Sequence, residues 1–153
     1  MRKFYLKFLL ITLSGFSLLS CEEDVPVFNC EQNTVFQFAG SSEKWCGRSE
    51  LRQYRISDDQ ENGSIFIRYP AGNVTINFLV SGSLIVGQNM TYGNEFGLAG
   101  DVGSVNSASM VITQLDRDQG LISFQFYFDY HAQTNLTHWD VNGTVTDLAL
   151  EVE

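Results

Sequence analysis

The sequence predicts an all-β fold, an antiparallel β-sandwich or flattened barrel of roughly six to nine strands. Apolar side chains alternate with polar ones along most of the chain, which is typical of strands that have one buried and one solvated face. The composition agrees, because the 153 residues include 12 Phe and six Tyr but only two Pro. Aromatic residues are enriched in strands, whereas proline interrupts them.

The clearest predicted strand spans 120–130, where every second residue from Ile122 to Phe128 is apolar. In the other strands, Tyr54 and Ile56 are expected to face the core and Phe66 to face outward. A short helical turn is expected only over 41–52, and 81–106 should be a long connection with one or two short strands. The further predicted strands are 34–38, 51–57, 64–69, 73–80, 108–115 and 137–148.

Polar segments ending in glycine, at 58–63 and 116–120, are expected to form hairpin turns between these strands, and 69–72 a third turn. The second, Asp116-Arg117-Asp118-Gln119-Gly120, also resembles half of a calcium loop. A complete calcium site needs about six to eight oxygen ligands and usually a distal Glu. Because no such Glu follows, we expect an ordinary hairpin.

Residues 1–20 have the zones of a cleaved signal peptide. A basic start, Met1-Arg2-Lys3, precedes an apolar stretch from Phe8 to Leu19, which is shorter than the about 20 residues of a membrane-spanning helix. Leu18-Leu19-Ser20-Cys21 then resembles the lipobox of bacterial lipoproteins. That resemblance implies palmitate-type acylation of Cys21, and several acyl chains would hold the protein firmly in a membrane.

Glu22, Glu23 and Asp24 follow the cysteine and resemble the surface-export signal of Bacteroidota-type lipoproteins. The resemblance implies a location on the outer face of the outer membrane, while a plain solvated linker would leave the protein on the periplasmic face. The predicted organisation is a signal peptide over 1–20, a lipidated acidic tether over 21–33 and a β domain over 34–153.

The charge excludes one class of partner. The net charge is −9, and removal of three basic leader residues leaves six basic against 18 acidic side chains, or −12. Such a protein repels phosphate backbones and anionic lipid headgroups, so nucleic acid is not an expected partner. The expected contact with the membrane is through the acyl chains on Cys21.

The two remaining cysteines, Cys30 and Cys46, are expected to form a disulfide in an oxidising compartment. The loop that they enclose would contribute on the order of 3 kcal/mol. No zinc-type spacing surrounds them and no nucleotide or hydrolase motif occurs in the chain, so no metal, cofactor or catalytic residue is predicted.

One acid–base cluster is a weaker candidate for chemistry. His131 and His138 flank a predicted loop, with Asp129 and Asp140 close in sequence. If the flanking strands pair as a hairpin, these four residues converge, as a metal or hydrolytic site would require. The alternative is a solvated hairpin end. Glu95 and Asp101 are further carboxylates, but no spacing identifies a glycosidase pair.

A set of short motifs is similar to small outer-membrane lipoproteins of the Bacteroidota type, whose all-β domain has no assigned function. The resemblance covers most of 36–148 and implies the fold and the compartment only. Cys30, Cys46 and Thr144-Val145 depart from that family's pattern. The motifs are Gly40 with Trp45, Ile65-Phe66-Ile67, Gly87 with Tyr92, Val111 to Asp116, Leu121 to Phe126 and Val141 to Val145.

The function that we predict is non-enzymatic binding of a glycan or protein by a lipid-anchored domain, with outward aromatics such as Tyr127 and Phe66 stacking on sugars. The first alternative is an accessory subunit that docks an envelope complex through a sheet edge or 81–106. The second alternative is hydrolysis in a cleft around the four-residue cluster, which requires those side chains to be buried.

Overall fold

A computed structural model describes residues 30–150 of the chain. These residues form nine antiparallel strands in one sheet, which confirms the predicted all-β class. The strand order across the sheet is β5-β7-β8-β9-β1-β2-β3-β4-β6. The strands are β1 (Thr34–Phe38), β2 (Lys44–Ser57), β3 (Gln60–Tyr69), β4 (Gly72–Ser81), β5 (Asn89–Thr91), β6 (Phe96–Gly100), β7 (Val102–Asp116), β8 (Leu121–Ala132) and β9 (His138–Ala149). Within 30–150, no helix has the length and apolarity needed to cross a membrane.

The sheet curls until its two edges approach each other, which gives a nearly closed, flattened barrel. The edge strands β5 and β6 are joined by a short connection, 92–95, and the Leu79 amide donates to the Glu95 carbonyl at 2.8 Å. The chain then passes from β6 into β7 through Asp101. The Asp101 amide donates to the Asn73 carbonyl at 2.9 Å, and its carbonyl accepts from the Gln133 amide at 2.8 Å. Asp101 therefore links β4 to the end of β8.

The core is built from the alternating apolar residues that the sequence indicates. In β8, Phe124 and Phe128 are fully buried, and Phe126 is 4% exposed. Each fully buried side chain of this size contributes about 1.5–3 kcal/mol. The predicted inward residues of β3 and β4 are buried as well: Ile65, Ile67, Tyr69, Val74, Ile76, Phe78 and Val80.

Mid-strand glycines provide room for aromatic rings inside the barrel. Gly143 of β9 is paired with Phe126 of β8, and a Cβ on Gly143 would overlap the Phe126 ring. Gly47 lies under the ring of Phe36 in the same way. Glycine at such positions allows a sheet to bend while the ring covers its backbone. The glycines therefore permit the curvature that closes the barrel.

The predicted helical turn over 41–52 is wrong, because β2 begins at Lys44 and pairs with β1 on one side and β3 on the other. Gly47 and Ser49 occupy inward positions of this strand and are buried. The Phe36 ring fills the space above Gly47. Small inward residues removed the apolar alternation that would have identified the strand.

Two details near the β2–β3 hairpin also differ from the prediction. Ile56 was expected in the core but is 50% exposed, because it lies near the end of β2 beyond the last buried residue, Tyr54. The segment 58–63 was expected to be a turn, yet β3 already begins at Gln60. Glu61 is therefore a strand residue, and it is fully buried.

Other predictions along the chain are confirmed. Residues 34–38 form β1, and Asp116 and Leu121 flank the predicted turn between β7 and β8. The connection over 81–106 contains the two short strands β5 and β6, although β7 begins within it at Val102.

Candidate functional site

The predicted anchor and export residues lie outside the described part of the chain. These are the signal peptide over 1–20, Cys21, and Glu22, Glu23 and Asp24. Cys30 and Cys46 are described, and they lie at disulfide distance with Cα atoms 5.6 Å apart. The predicted pairing of these two cysteines therefore fits the fold.

The four residues of the acid–base cluster do converge, on the outer face of the β8–β9 hairpin. Asp129 is paired with Asp140 across the strands, and His131 is paired with His138. His138 Nε2 lies 2.6 Å from Asp129 Oδ1, and the two imidazole rings are 5.3 Å apart. The antiparallel register of a hairpin, rather than any local motif, brings these side chains together.

This cluster lacks the burial that hydrolysis in a cleft would require. The His138 side chain is 54% exposed and that of Asp129 is 23% exposed. The pKa of Asp129 is lowered, chiefly by its hydrogen bond with His138 and by the Asn106 amide at 3.0 Å. A carboxylate held in its ionised form is a poor general acid. No group of three or more His, Cys, Asp or Glu side chains within 30–150 is arranged to hold a metal ion.

The other carboxylates considered for chemistry support turns instead. Glu95 Oε2 accepts the Thr91 amide at 2.7 Å, and Asp101 Oδ2 accepts the Asn73 amide at 2.7 Å. Asp116 Oδ1 accepts the Gln119 amide at 2.9 Å, within the hairpin that resembled a calcium loop. Each of these carboxylates satisfies a backbone donor, as short polar side chains do in turns.

A polar groove adjoins the cluster on the same outer face and has a volume of about 430 Å³. It crosses β7, β8, β9 and β1, and Lys44 of β2 closes one end. Small side chains such as Ser109 and Thr144 leave space between longer ones such as Gln125. Its lining residues are Val35, Phe36, Gln37, Lys44, Ser109, Val111, Gln125, Phe126, Tyr127, Asn142, Gly143 and Thr144.

The chemistry of this polar groove is that of amides and hydroxyls around a few apolar groups. Gln37, Gln125 and Asn142 each carry a donor and an acceptor, while the half-buried Val35 and Val111 are apolar. Lys44 is the single cation in the lining, and no carboxylate contributes to it. The polar groove therefore offers hydrogen-bond donors and acceptors beside a few apolar side chains.

Tyr127 lines the polar groove and adjoins the acid–base cluster. Its pKa is raised by partial desolvation and by the neighbouring Asp140 carboxylate, so the phenol stays protonated and able to donate. The buried Asp140 Oδ1 has no hydrogen-bond partner within the described residues. Tyr127 and Asp140 therefore connect the two features into one continuous polar surface.

The predicted sugar-stacking aromatics do not form one patch. Tyr127 lies on β8 and Phe66 on β3, four strands apart in the sheet order. At about 4.8 Å per strand, their positions are roughly 19 Å apart along the sheet. The Phe66 ring is also covered by the Arg52 guanidinium, 3.8 Å from its centroid. Tyr127 alone belongs to the polar groove.

A second polar cluster was missed from the sequence. Glu61 is buried and accepts hydrogen bonds from Tyr54 Oη and Arg117 at 2.7 Å each. Arg117 also donates to the Leu84 carbonyl at 3.2 Å. Burial, followed by the bond to Glu61, raises the pKa of Tyr54 to about 12. The only sequence signal was an arginine within a turn that otherwise consists of acids, Gln and Gly.

Comparison of the chain with protein-family models, with curated proteins and with solved structures found no match.

Proposed function

We propose that this protein is a lipid-anchored lipoprotein of the bacterial outer membrane whose β domain is a non-enzymatic binding module. The observation that carries the binding role is the polar groove of about 430 Å³, which is lined by amides and hydroxyls and by no carboxylate. The anchor and the export route rest on the sequence around Cys21.

The preferred ligand is an uncharged or weakly charged glycan. Sugar hydroxyls donate and accept hydrogen bonds, and a single side-chain amide can also do both. Val35 and Val111 supply apolar surface for the C–H faces of a sugar ring, and Tyr127 supplies a phenol that remains protonated. A few placed polar groups on an apolar base are typical of small-ligand sites.

A catalytic role has less support than binding. Glycoside hydrolysis needs two carboxyl groups on either side of the scissile bond. Asp129 and Asp140 lie side by side on one flat hairpin face, and Asp129 is bonded to His138. Neither of them lines the polar groove.

The location is tested by expressing the native chain and a Cys21→Ala variant. We expect the native protein to sediment with membranes and to be digested by protease added to intact cells, with a periplasmic protein as the protected control. Cys21→Ala should leave the membrane fraction because it lacks acyl chains. A Cys21→Ala protein that stays bound to membranes would refute the anchor, and protection of the native protein would place it on the periplasmic face.

The ligand class is tested by screening the purified protein against a glycan array and confirming hits by calorimetry. Gln125→Ala and Asn142→Ala should each weaken binding about tenfold, since each removes hydrogen bonds worth about 1.5 kcal/mol. Gln53→Ala is the matched control, because Gln53 is an exposed strand residue outside the polar groove. Equal loss in all three variants, or binding that none of them changes, would refute the groove as the site.

A docking role in an envelope complex is a second candidate. The edge strands β5 and β6 contain no charged residue, and uncharged edges are open to pairing. The preceding loop exposes Ile85 by 67% and Val86 by 57%. An Ile85→Glu, Val86→Glu double variant should then lose a co-purifying envelope protein while keeping its glycan binding. Retention of every partner would exclude this docking surface.

A further inference from the structure

The basic residues of the domain are concentrated on two adjacent strands. Residues 30–150 contain six Lys and Arg side chains, and five of them lie on β2 and β3. We refer to these five as the basic face. They are Lys44, Arg48, Arg52, Arg55 and Arg68. In a protein whose part after the leader carries six basic against 18 acidic residues, this is a pronounced segregation of charge.

Without an external partner, the arrangement of charges in the basic face destabilises the sheet. Arg48 and Arg68 are direct partners across β2 and β3, and both are exposed. Like charges directly opposite each other destabilise a sheet. Among the described residues, neither arginine has a carboxylate within 4.0 Å. A local rule broken without compensation inside the domain is typical of a functional surface.

Phe66 organises the guanidinium groups of the basic face. The Arg52 guanidinium lies 3.8 Å from the centroid of the Phe66 ring, and that of Arg68 lies 6.0 Å from it. Arg48, Phe66 and Arg68 line a small surface cavity of about 110 Å³ together with Glu50. Glu50 contacts Arg52 at 3.4 Å, in an exposed pair that contributes little. The cluster therefore keeps a net positive charge.

The segment that precedes the domain is fastened beside the basic face. Cys30 pairs with Cys46, which lies between Lys44 and Arg48 along β2. The Asn33 side chain then accepts the Ser49 amide and donates to the Ser49 carbonyl, both at 2.8 Å. Cys30 lies nine positions after Cys21, and nine steps along the chain reach at most about 30 Å. The acyl chains on Cys21 would thus hold this side of the barrel near the bilayer.

We propose that the basic face docks onto the phosphate headgroups of the membrane that holds the acyl chains of Cys21. This inference rests on the proposed lipid anchor and adds an orientation to it. Docking supplies the anions that Arg48 and Arg68 lack within the domain. The net charge of the whole domain repels anionic headgroups, but salt screens charges that lie beyond about 8 Å. The clustered Lys and Arg that face the membrane therefore attract its phosphates.

Trp45 is a natural reporter of this docking. It is 41% exposed and lies between Lys44 and Cys46 in sequence. The other tryptophan, Trp139, packs against Phe38 with ring centroids 5.1 Å apart, so Trp139→Phe leaves Trp45 as the single donor. The acylated protein is reconstituted into vesicles that contain a dansyl-labelled headgroup lipid. One set is made of phosphatidylcholine alone, and the other includes phosphatidylglycerol.

We expect energy transfer from Trp45 to be higher in the phosphatidylglycerol vesicles and to fall to the phosphatidylcholine level at about 1 M salt, where the screening length is about 3 Å. Arg48→Gln with Arg68→Gln should lower the ratio of docked to undocked protein roughly 25-fold, at about fivefold per cation. Ser104→Glu with Thr113→Glu is the matched control, because it changes the net charge equally at exposed positions of β7. This control should remain docked.

Flotation of the vesicles separates failure of docking from failure of the anchor. Native protein that does not float with either kind of vesicle would refute the lipid anchor, and the docking proposal with it. Protein that floats with both, but shows the same Trp45 transfer in both, would overturn docking alone. Equal loss of transfer in the arginine and the control variants would also overturn it, because net charge rather than the basic face would then explain the effect.

Discussion

Two polar clusters lie at opposite ends of β8, and they differ in burial. Beside the start of the strand, Glu61 is 0% exposed and accepts hydrogen bonds from Tyr54 and Arg117. At its other end, Asp129 meets a His138 side chain that is 54% exposed. The Arg117–Glu61 and His138–Asp129 contacts have similar lengths, 2.7 Å and 2.6 Å.

The comparison teaches that burial, and not contact distance, sets what each cluster does. Water screens an exposed ion pair, which contributes little to stability. Glu61 is fully buried, so it depends on its partners, because a buried polar or charged group that is left unpaired is strongly destabilising. We therefore assign the Glu61 cluster to the fold and the Asp129 cluster to the surface that adjoins the polar groove.

Glu61→Ala should produce the largest effect. It leaves the buried Tyr54 hydroxyl without its acceptor and the Arg117 guanidinium, which is 41% exposed, without its carboxylate. We expect a loss of about 1–3 kcal/mol in the free energy of unfolding, the cost of a buried polar group that has no partner. Chemical denaturation measures this loss. Glu43→Ala is the matched control at an exposed carboxylate and should change stability by less than about 0.5 kcal/mol. Similar losses in both variants would contradict the distinction by burial.

Replacing Glu61 and Arg117 together tests the same comparison further. Glu61→Leu combined with Arg117→Met removes both charges and fills the space with apolar groups. Such replacements are often neutral or stabilising, so the double variant should be more stable than Glu61→Ala. If thermal denaturation shows the double variant to be the less stable, the hydrogen bonds of the Glu61 cluster stabilise the fold more than apolar side chains in the same place do.

The loss of folding stability at high pH should come from buried tyrosines. Burial raises the pKa values of Tyr54 and Tyr130 to about 12, from ordinary values near 10. The unfolded chain then loses these protons first, so stability is complete below about pH 10 and falls as the pH rises to about 12. Tyr54→Phe and Tyr130→Phe should each flatten part of that decline in denaturation experiments. An unchanged slope in both would contradict the assignment.

The smallest effect should follow from His138→Ala. The His138 hydrogen bond lowers the pKa of Asp129, so its contribution is present above the ordinary carboxyl value of 3.8 and disappears as the pH falls through the lower folded value. His138→Ala should move the Asp129 pKa back toward its ordinary value, as an NMR titration would detect, without a measurable change in melting temperature at neutral pH. A large loss of melting temperature would mean that this exposed pair is structural.

The strands were predicted where apolar and polar residues alternate regularly. Phe124, Phe126 and Phe128 form an uninterrupted apolar series, and their strand and inward direction are confirmed. The series is absent from β2, where Gly47 and Ser49 take inward positions. Their burial depends on a ring, that of Phe36, from another strand. Local periodicity cannot report such a long-range contact.

The candidate surfaces were only partly accessible from sequence. Asp129 and His138 could be grouped because they lie in one hairpin, whose register is local. The polar groove joins Val35, Ser109 and Asn142, which are far apart in the chain and come together only in the completed sheet. Glu61 is predicted in a turn because it lies in a polar segment that ends in glycine, and its partner, Arg117, lies 56 residues away in the chain.

The lipid anchor is the central claim of the proposed function, and mass spectrometry of the N-terminal peptide tests it most directly. The native protein is extracted from membranes, digested and compared with Cys21→Ala. We predict a mature chain that begins at Cys21, with a diacylglyceryl group on its thiol and an acyl chain on its amine. An unmodified Cys21, or a mature chain that begins elsewhere, would contradict the lipoprotein account.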